Sequence, residues 1–163
     1  MFRRFSVKHI ALVCVALMLM LSSAWAIQTY YNSVTIKKQK GFAQFQIIGW
    51  EVFGEVRWGA LDAYMNEQGV TSVKITVEAT EELVQRDDGT SYYRLSFVFG
   101  PTGCYFDPPL ELNIDGKYVA PDTEVRLYDA NGELIPGERS FLYDDQMTFY
   151  IPHFSYYSYD QYY

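Results

Sequence analysis

The stretch IPHFSYYSYDQYY, from Ile151 to Tyr163, sets His153 and Ser155 two residues apart with Phe154 between them. A histidine beside a serine is the raw material of nucleophilic catalysis, in which imidazole takes the hydroxyl proton as the oxygen attacks a carbonyl. The other histidine of the chain, His9, lies in an apolar N-terminal segment, so any Ser-His-Asp triad has to be assembled around His153. In a regular strand, residues i and i+2 share a face but stand about 6–7 Å apart, whereas proton transfer needs roughly 3 Å. A regular strand is therefore inert, and only a bent one brings the two side chains together. The sequence predicts a bend. Met147, Phe149 and Ile151 alternate on one face, and the next large apolar residue, Phe154, is out of phase by one. Pro152, which cannot donate a ladder hydrogen bond, sits where that slip must occur. In the purely structural reading Phe154 re-enters the core through this bulge, while His153 and Ser155 cap exposed backbone groups.

Other reactive residues are sparse. Beyond residue 26 the chain holds one cysteine and one histidine, Cys104 and His153, which together make no zinc-type ligand set. Cys104 lies among small and aromatic residues in GPTGCYFDPP and reads as a buried free thiol, with an intermolecular bridge as the sharper alternative. Asp129, Asn131 and Glu133 alternate oxygen ligands in DANGE, but a calcium loop needs six or more oxygens and the chain turns at once into LIPG. That segment is predicted to be a hairpin turning at Asn131-Gly132. Trp50, Trp58 and the C-terminal tyrosines offer flat apolar faces with polar tips, the material of a sugar-stacking platform. Glu81-Glu82 and Asp87-Asp88 fall in polar, turn-rich stretches and read as solvated surface rather than the facing acid and base of a glycosidase. No strand runs through a glycine-rich phosphate loop into a helix. We therefore expect no metal and no cofactor.

The elements that must position these residues are strands. SVTIKK, FAQFQII, FGEVRW, TSVKITVE and YYRLSFVF are short alternating runs, followed by LELNI, EVRLYD, RSFLYD and MTFYI. Asp88-Gly89, Asp115-Gly116 and Asn131-Gly132 are hairpin-type pairs between them, and Asp144-Asp145 is a weaker one. Only Leu61 to Gln68 has the pattern of a short helix. The pattern predicts an all-β, antiparallel β-sandwich preceded by a cleavable signal helix. In residues 1–26, Arg3, Arg4 and Lys8 precede the apolar run Ile10 to Leu21, and Ala24-Trp25-Ala26 supplies a signal-peptidase site. The run is short against the roughly 20 residues of a bilayer span. Residues 27–163 then form the expected mature domain, starting at Ile27. Removing the three basic residues leaves 10 Lys and Arg against 20 Asp and Glu, a net charge of −10. Such a surface repels nucleic acid and anionic membranes.

The carboxyl half also carries a resemblance. FVFGPTGCYFDPPLELNI (Phe97 to Ile114), VRLYDANGELIPG and the final IPHFSYYSY occur in the order of three motifs of ZU-five domains. Upstream, VRWGALDAYMNEQGVTSVKITV is similar to that family's "GAL … I-T-V" segment, with Trp58 where a proline is usual. The resemblance runs from Gln39 to Tyr159 and is strongest after Phe97; the family's glycine-rich opening is reduced to Gly41. These modules are β-sandwiches of zona-occludens proteins, netrin receptors, ankyrins and exported bacterial proteins. The resemblance implies a protein-interaction or cell-surface role. Some members cut themselves between Phe and Ser of His-Phe-Ser; carried over, Ser155 attacks the Phe154 carbonyl while His153 takes its proton.

Beside the resemblance, Gly100-Pro101-Thr102-Gly103 should end one buried strand and Pro108-Pro109 should set the start of the next. Phe97, Phe99, Phe106, Leu110 and Leu112 should share the core. The functional expectation is an exported, non-catalytic module for protein interaction or cell-surface structure, placed outside the cell, in a periplasm or on the surface. Its partner is expected to be a protein or a cell-surface component, with no nucleic acid and no stable membrane insertion after signal removal. The alternatives are a self-processing domain and a carbohydrate-binding module.

Overall fold

Val73, Ile75, Val77 and Ala79 are buried while Ser72, Lys74 and Thr76 between them are exposed, the period-two signature of a strand with one face in a core. The same alternation recurs along the chain and generates the fold. The structure is a computed structural model and describes residues 27–38, 42–119, 124–140 and 145–162. The expected signal helix with its cleavage site, Gly41 and Asp144 lie outside the described residues.

Among the described residues the strands are β1 (Gln28–Lys37), β2 (Ala43–Ile47), β3 (Gly49–Val56), β4 (Ser72–Gln85), β5 (Ser91–Gly100), β6 (Tyr105–Asp115), β7 (Glu124–Asp129), β8 (Leu134–Ile135), β9 (Gly137–Ser140), β10 (Gln146–His153) and β11 (Tyr156–Tyr162). One sheet has the order β1-β4-β5-β11-β7-β8 and the other β2-β3-β6-β10-β9. The pairings are antiparallel and the inner faces share one core, with Ile75 and Phe97 from the first sheet meeting Leu112 and Phe149 from the second. The molecule is an all-β antiparallel sandwich, as the alternation predicts. Each large apolar side chain so enclosed contributes about 1.5–3 kcal/mol. The expected set of Phe97, Phe99, Phe106, Leu110 and Leu112 is buried together.

One helix, α1 (Asp62–Gln68), falls where Leu61 to Gln68 was expected and buries Met65. Asp88-Gly89 links β4 to β5 and Asn131-Gly132 links β7 to β8, with φ of +86° and +79° at the two glycines. Asp115-Gly116 is not a hairpin. It opens a single 3-10 turn (Gly116–Tyr118), with the Asp115 carboxylate accepting the Lys117 N–H at 2.9 Å. The reason is topological: β6 and β7 belong to different sheets, so the link crosses the sandwich instead of reversing within one sheet.

Pro108-Pro109 also differs from expectation. β6 begins at Tyr105, before the prolines, and they sit inside it at a break in pairing. Ile151 of β10 faces Leu110, but His153 faces Tyr105, so Phe106 to Pro109 bulge opposite Pro152. Residues that cannot donate to a ladder are tolerated where the ladder is already interrupted.

Candidate functional site

The pairing break at Pro152 prepares a change of sheet. β10 ends at His153 in the five-stranded sheet, and β11 begins at Tyr156 in the six-stranded one. Between them the Ser155 carbonyl accepts the Phe99 N–H of β5 at 3.2 Å, and the Phe154 N–H donates to the Cys104 carbonyl at 2.7 Å. Phe154 is buried between the sheets. Its ring stacks on Phe99 at 5.1 Å and meets Phe106 edge-on at 4.7 Å. The slip anticipated from sequence therefore exists, and Phe154 does re-enter the core through it.

His153 and Ser155 behave differently from the expectation. Both are half-buried, and their side chains form no hydrogen bond with each other or with any other described residue. The backbone groups of this corner find partners elsewhere. Cys104 and Phe99 take two of them, and the Tyr157 hydroxyl donates to the His153 carbonyl. Burial raises the Tyr157 phenol pKa and keeps that donor protonated.

Asp129 is a carboxylate beside this corner. It is the cross-strand partner of Tyr157, whose ring centroid lies 6.4 Å from that of His153. Its Oδ1 accepts the N–H groups of Glu133 at 2.9 Å and Asn131 at 2.8 Å. Those bonds hold its pKa below the usual carboxylate range, led by Glu133, with a small electrostatic contribution from His153. No hydrogen bond joins Asp129 to His153. Asp129, Asn131 and Glu133 thus form the predicted hairpin, and the oxygens of Asp129 serve its own turn. No group of three or more His, Cys, Asp or Glu side chains among the described residues is arranged to hold a metal ion.

Cys104 is buried, as its neighbours suggested, and burial pushes its thiol up to about 12. In the folded chain it reaches no second cysteine without opening of the core. The aromatic platform is not assembled. Trp50 and Trp58 are 60% and 72% exposed but flank opposite ends of β3, with about 20 Å of strand between them. Tyr157 and Tyr159 point into the core instead. The paired carboxylates are surface groups: Glu81 accepts the Tyr30 hydroxyl at 2.8 Å, Glu82 lies 3.7 Å from Arg94, and Asp88 closes its own turn on Thr90.

A different constellation emerges on the outer face of the six-stranded sheet, and of the residues singled out from the sequence it includes only Tyr156, one of the C-terminal tyrosines. In register across β1, β4, β5 and β11, Tyr31 faces Glu78, Glu78 faces Val98, and Val98 faces Tyr156. Tyr31, Val98 and Tyr156 are 75%, 49% and 46% exposed. Beside this row runs a second one of small residues, Ser33, Thr76 and Gly100. The height difference between the rows leaves an open trough of about 610 Å³. A further sequence signal is Val98, an apolar residue turned outward between the inward Phe97 and Phe99.

No helix among the described residues is long and apolar enough to cross a membrane. Comparisons of the chain with family models, with curated proteins and with solved structures give no match.

Proposed function

We propose that this chain is an exported, non-catalytic β-sandwich module for protein interaction or cell-surface structure. The observation that carries this reading is the row Tyr31–Glu78–Val98–Tyr156, which spans four strands of one sheet face. Solvent-facing positions of an antiparallel sheet are ordinarily polar, so two tyrosines and a valine in one register row are a recognition feature. Aromatic side chains supply large contact area with little conformational freedom to lose, which suits them to binding surfaces. The unjoined His153 and Ser155 support the non-catalytic part, since a nucleophile needs its base within hydrogen-bond reach. The ZU-five resemblance supports the interaction role.

The test is sedimentation of the purified protein with envelopes of the cells that export it. The native chain should co-sediment, and a Tyr31→Ala, Val98→Ser, Tyr156→Ser variant with an unchanged melting temperature should remain in the supernatant. Equal sedimentation of the two, or none of either, contradicts the proposal.

A further inference from the structure

We propose that the outer-face trough binds a neutral oligosaccharide lying across the strands, with the Tyr31 ring as its stacking face. This inference rests on the cell-surface role proposed above and takes an oligosaccharide, rather than a protein, as what the face recognises there. Three features of the trough converge on it.

The first is the pairing of one flat ring with several hydroxyls. A pyranose has apolar C–H faces and a polar rim, so its receptor needs an exposed ring beside groups that both donate and accept. Tyr31 stands 75% exposed at one wall. Its hydroxyl reaches Glu78 Oε1 only at the long distance of 3.4 Å, which leaves both groups free to bind elsewhere. The hydroxyls of Ser33, Thr76 and Thr102 line the same trough and form no hydrogen bond with any described residue. Asn32, by contrast, is occupied: its amide donates to the Gln46 carbonyl at 2.7 Å and its oxygen accepts the Ser33 N–H.

The second feature is shape. Gly100 completes the low row, and a Cβ there would come within 2.6 Å of Thr76 Oγ1. The floor is therefore as deep as a sheet face allows. The lining runs from Tyr31 on β1 across β4 to Val98 on β5, two strand spacings or about 10 Å, which is longer than one sugar ring.

The third is charge. Glu78 is the one carboxylate among the lining residues, and no lysine or arginine lines the trough. On a chain this acidic an anionic ligand is repelled and finds no cation to pair with. A neutral ligand satisfies Glu78 with hydroxyl donors, each shorter and stronger than a neutral–neutral bond.

The test is isothermal titration of the purified protein with soluble hexamers of glucose, mannose and N-acetylglucosamine, and with an oligogalacturonate as the anionic control. At least one neutral hexamer should bind saturably and the anionic one should not. Tyr31→Ala should weaken binding roughly tenfold, Tyr31→Trp should restore it, and Thr76→Val should weaken it without lowering the melting temperature. Absence of heat with all three neutral hexamers overturns the inference, as does binding that Tyr31→Ala and Thr76→Val leave unchanged. Envelope association that the triple variant loses, in a protein that binds none of the sugars, overturns the oligosaccharide alone and points to a protein partner on the same face.

Discussion

Phe154 lies against Phe99 with ring centroids 5.1 Å apart and planes only 11° from parallel. The contact joins the residue at which the chain changes sheets to the middle of the six-stranded sheet. Phe106, edge-on at 4.7 Å, ties the same ring to the five-stranded sheet. One side chain thus closes the seam between both layers at the point where His153 and Ser155 flank it.

Phe154→Ala should therefore destabilise the fold by about 3–5 kcal/mol, measured by urea denaturation, because the lost ring leaves a cavity that two sheets cannot jointly close. Phe154→Leu should cost distinctly less, since it retains much of the volume. Native-like stability of the alanine variant would contradict the packing role.

Much of this seam was legible in the sequence, and its limits have physical causes. The one-residue slip between Ile151 and Phe154 together with Pro152 announced the bulge, because side-chain direction alternates strictly along a strand. The Asn131-Gly132 hairpin and the burial of Cys104 were local and equally readable. That Asp115-Gly116 crosses between sheets was not, nor that Phe106 to Pro109 bulge opposite Pro152. Both depend on which distant strand is the neighbour. The row Tyr31–Glu78–Val98–Tyr156 was invisible for the same reason: its members are separated by tens of residues and meet only through three cross-strand registers.

Cys104 makes the fold sensitive to alkali. A thiol ordinarily titrates near 9, and burial moves this one up to about 12, so the folded chain keeps a proton that the unfolded chain releases. The resulting stability is complete below pH 9 and declines as the pH rises toward 12. Melting temperatures should fall across that window, and less steeply in Cys104→Ala. A thiol reagent at pH 8 should label the folded protein slowly and the denatured protein at once; fast labelling without denaturant would place the thiol at the surface.

Asp129 acts in the opposite sense. Its folded carboxyl is held below the usual range by the Glu133 and Asn131 N–H groups, so its contribution is present above that range and lost as pH falls through the lowered value. Asp129→Asn should lower the melting temperature at neutral pH and flatten its acid dependence. An unchanged acid profile would show that the hairpin carboxylate does not stabilise the fold.

The two tryptophans of residues 27–163 lie outside the trough, flanking opposite ends of β3. Their fluorescence should stay constant through an oligosaccharide titration that calorimetry shows to be saturable. A saturable spectral shift would move the ligand to the end of β3 that bears Trp50 or Trp58.

The non-catalytic reading of His153–Phe154–Ser155 is tested most directly by the intact mass of the protein purified from its native host and denatured. One chain should run unbroken from Ile27 to Tyr163. A released peptide beginning at Ser155, lost in a Ser155→Ala variant, would contradict it and make the corner a self-cleaving site.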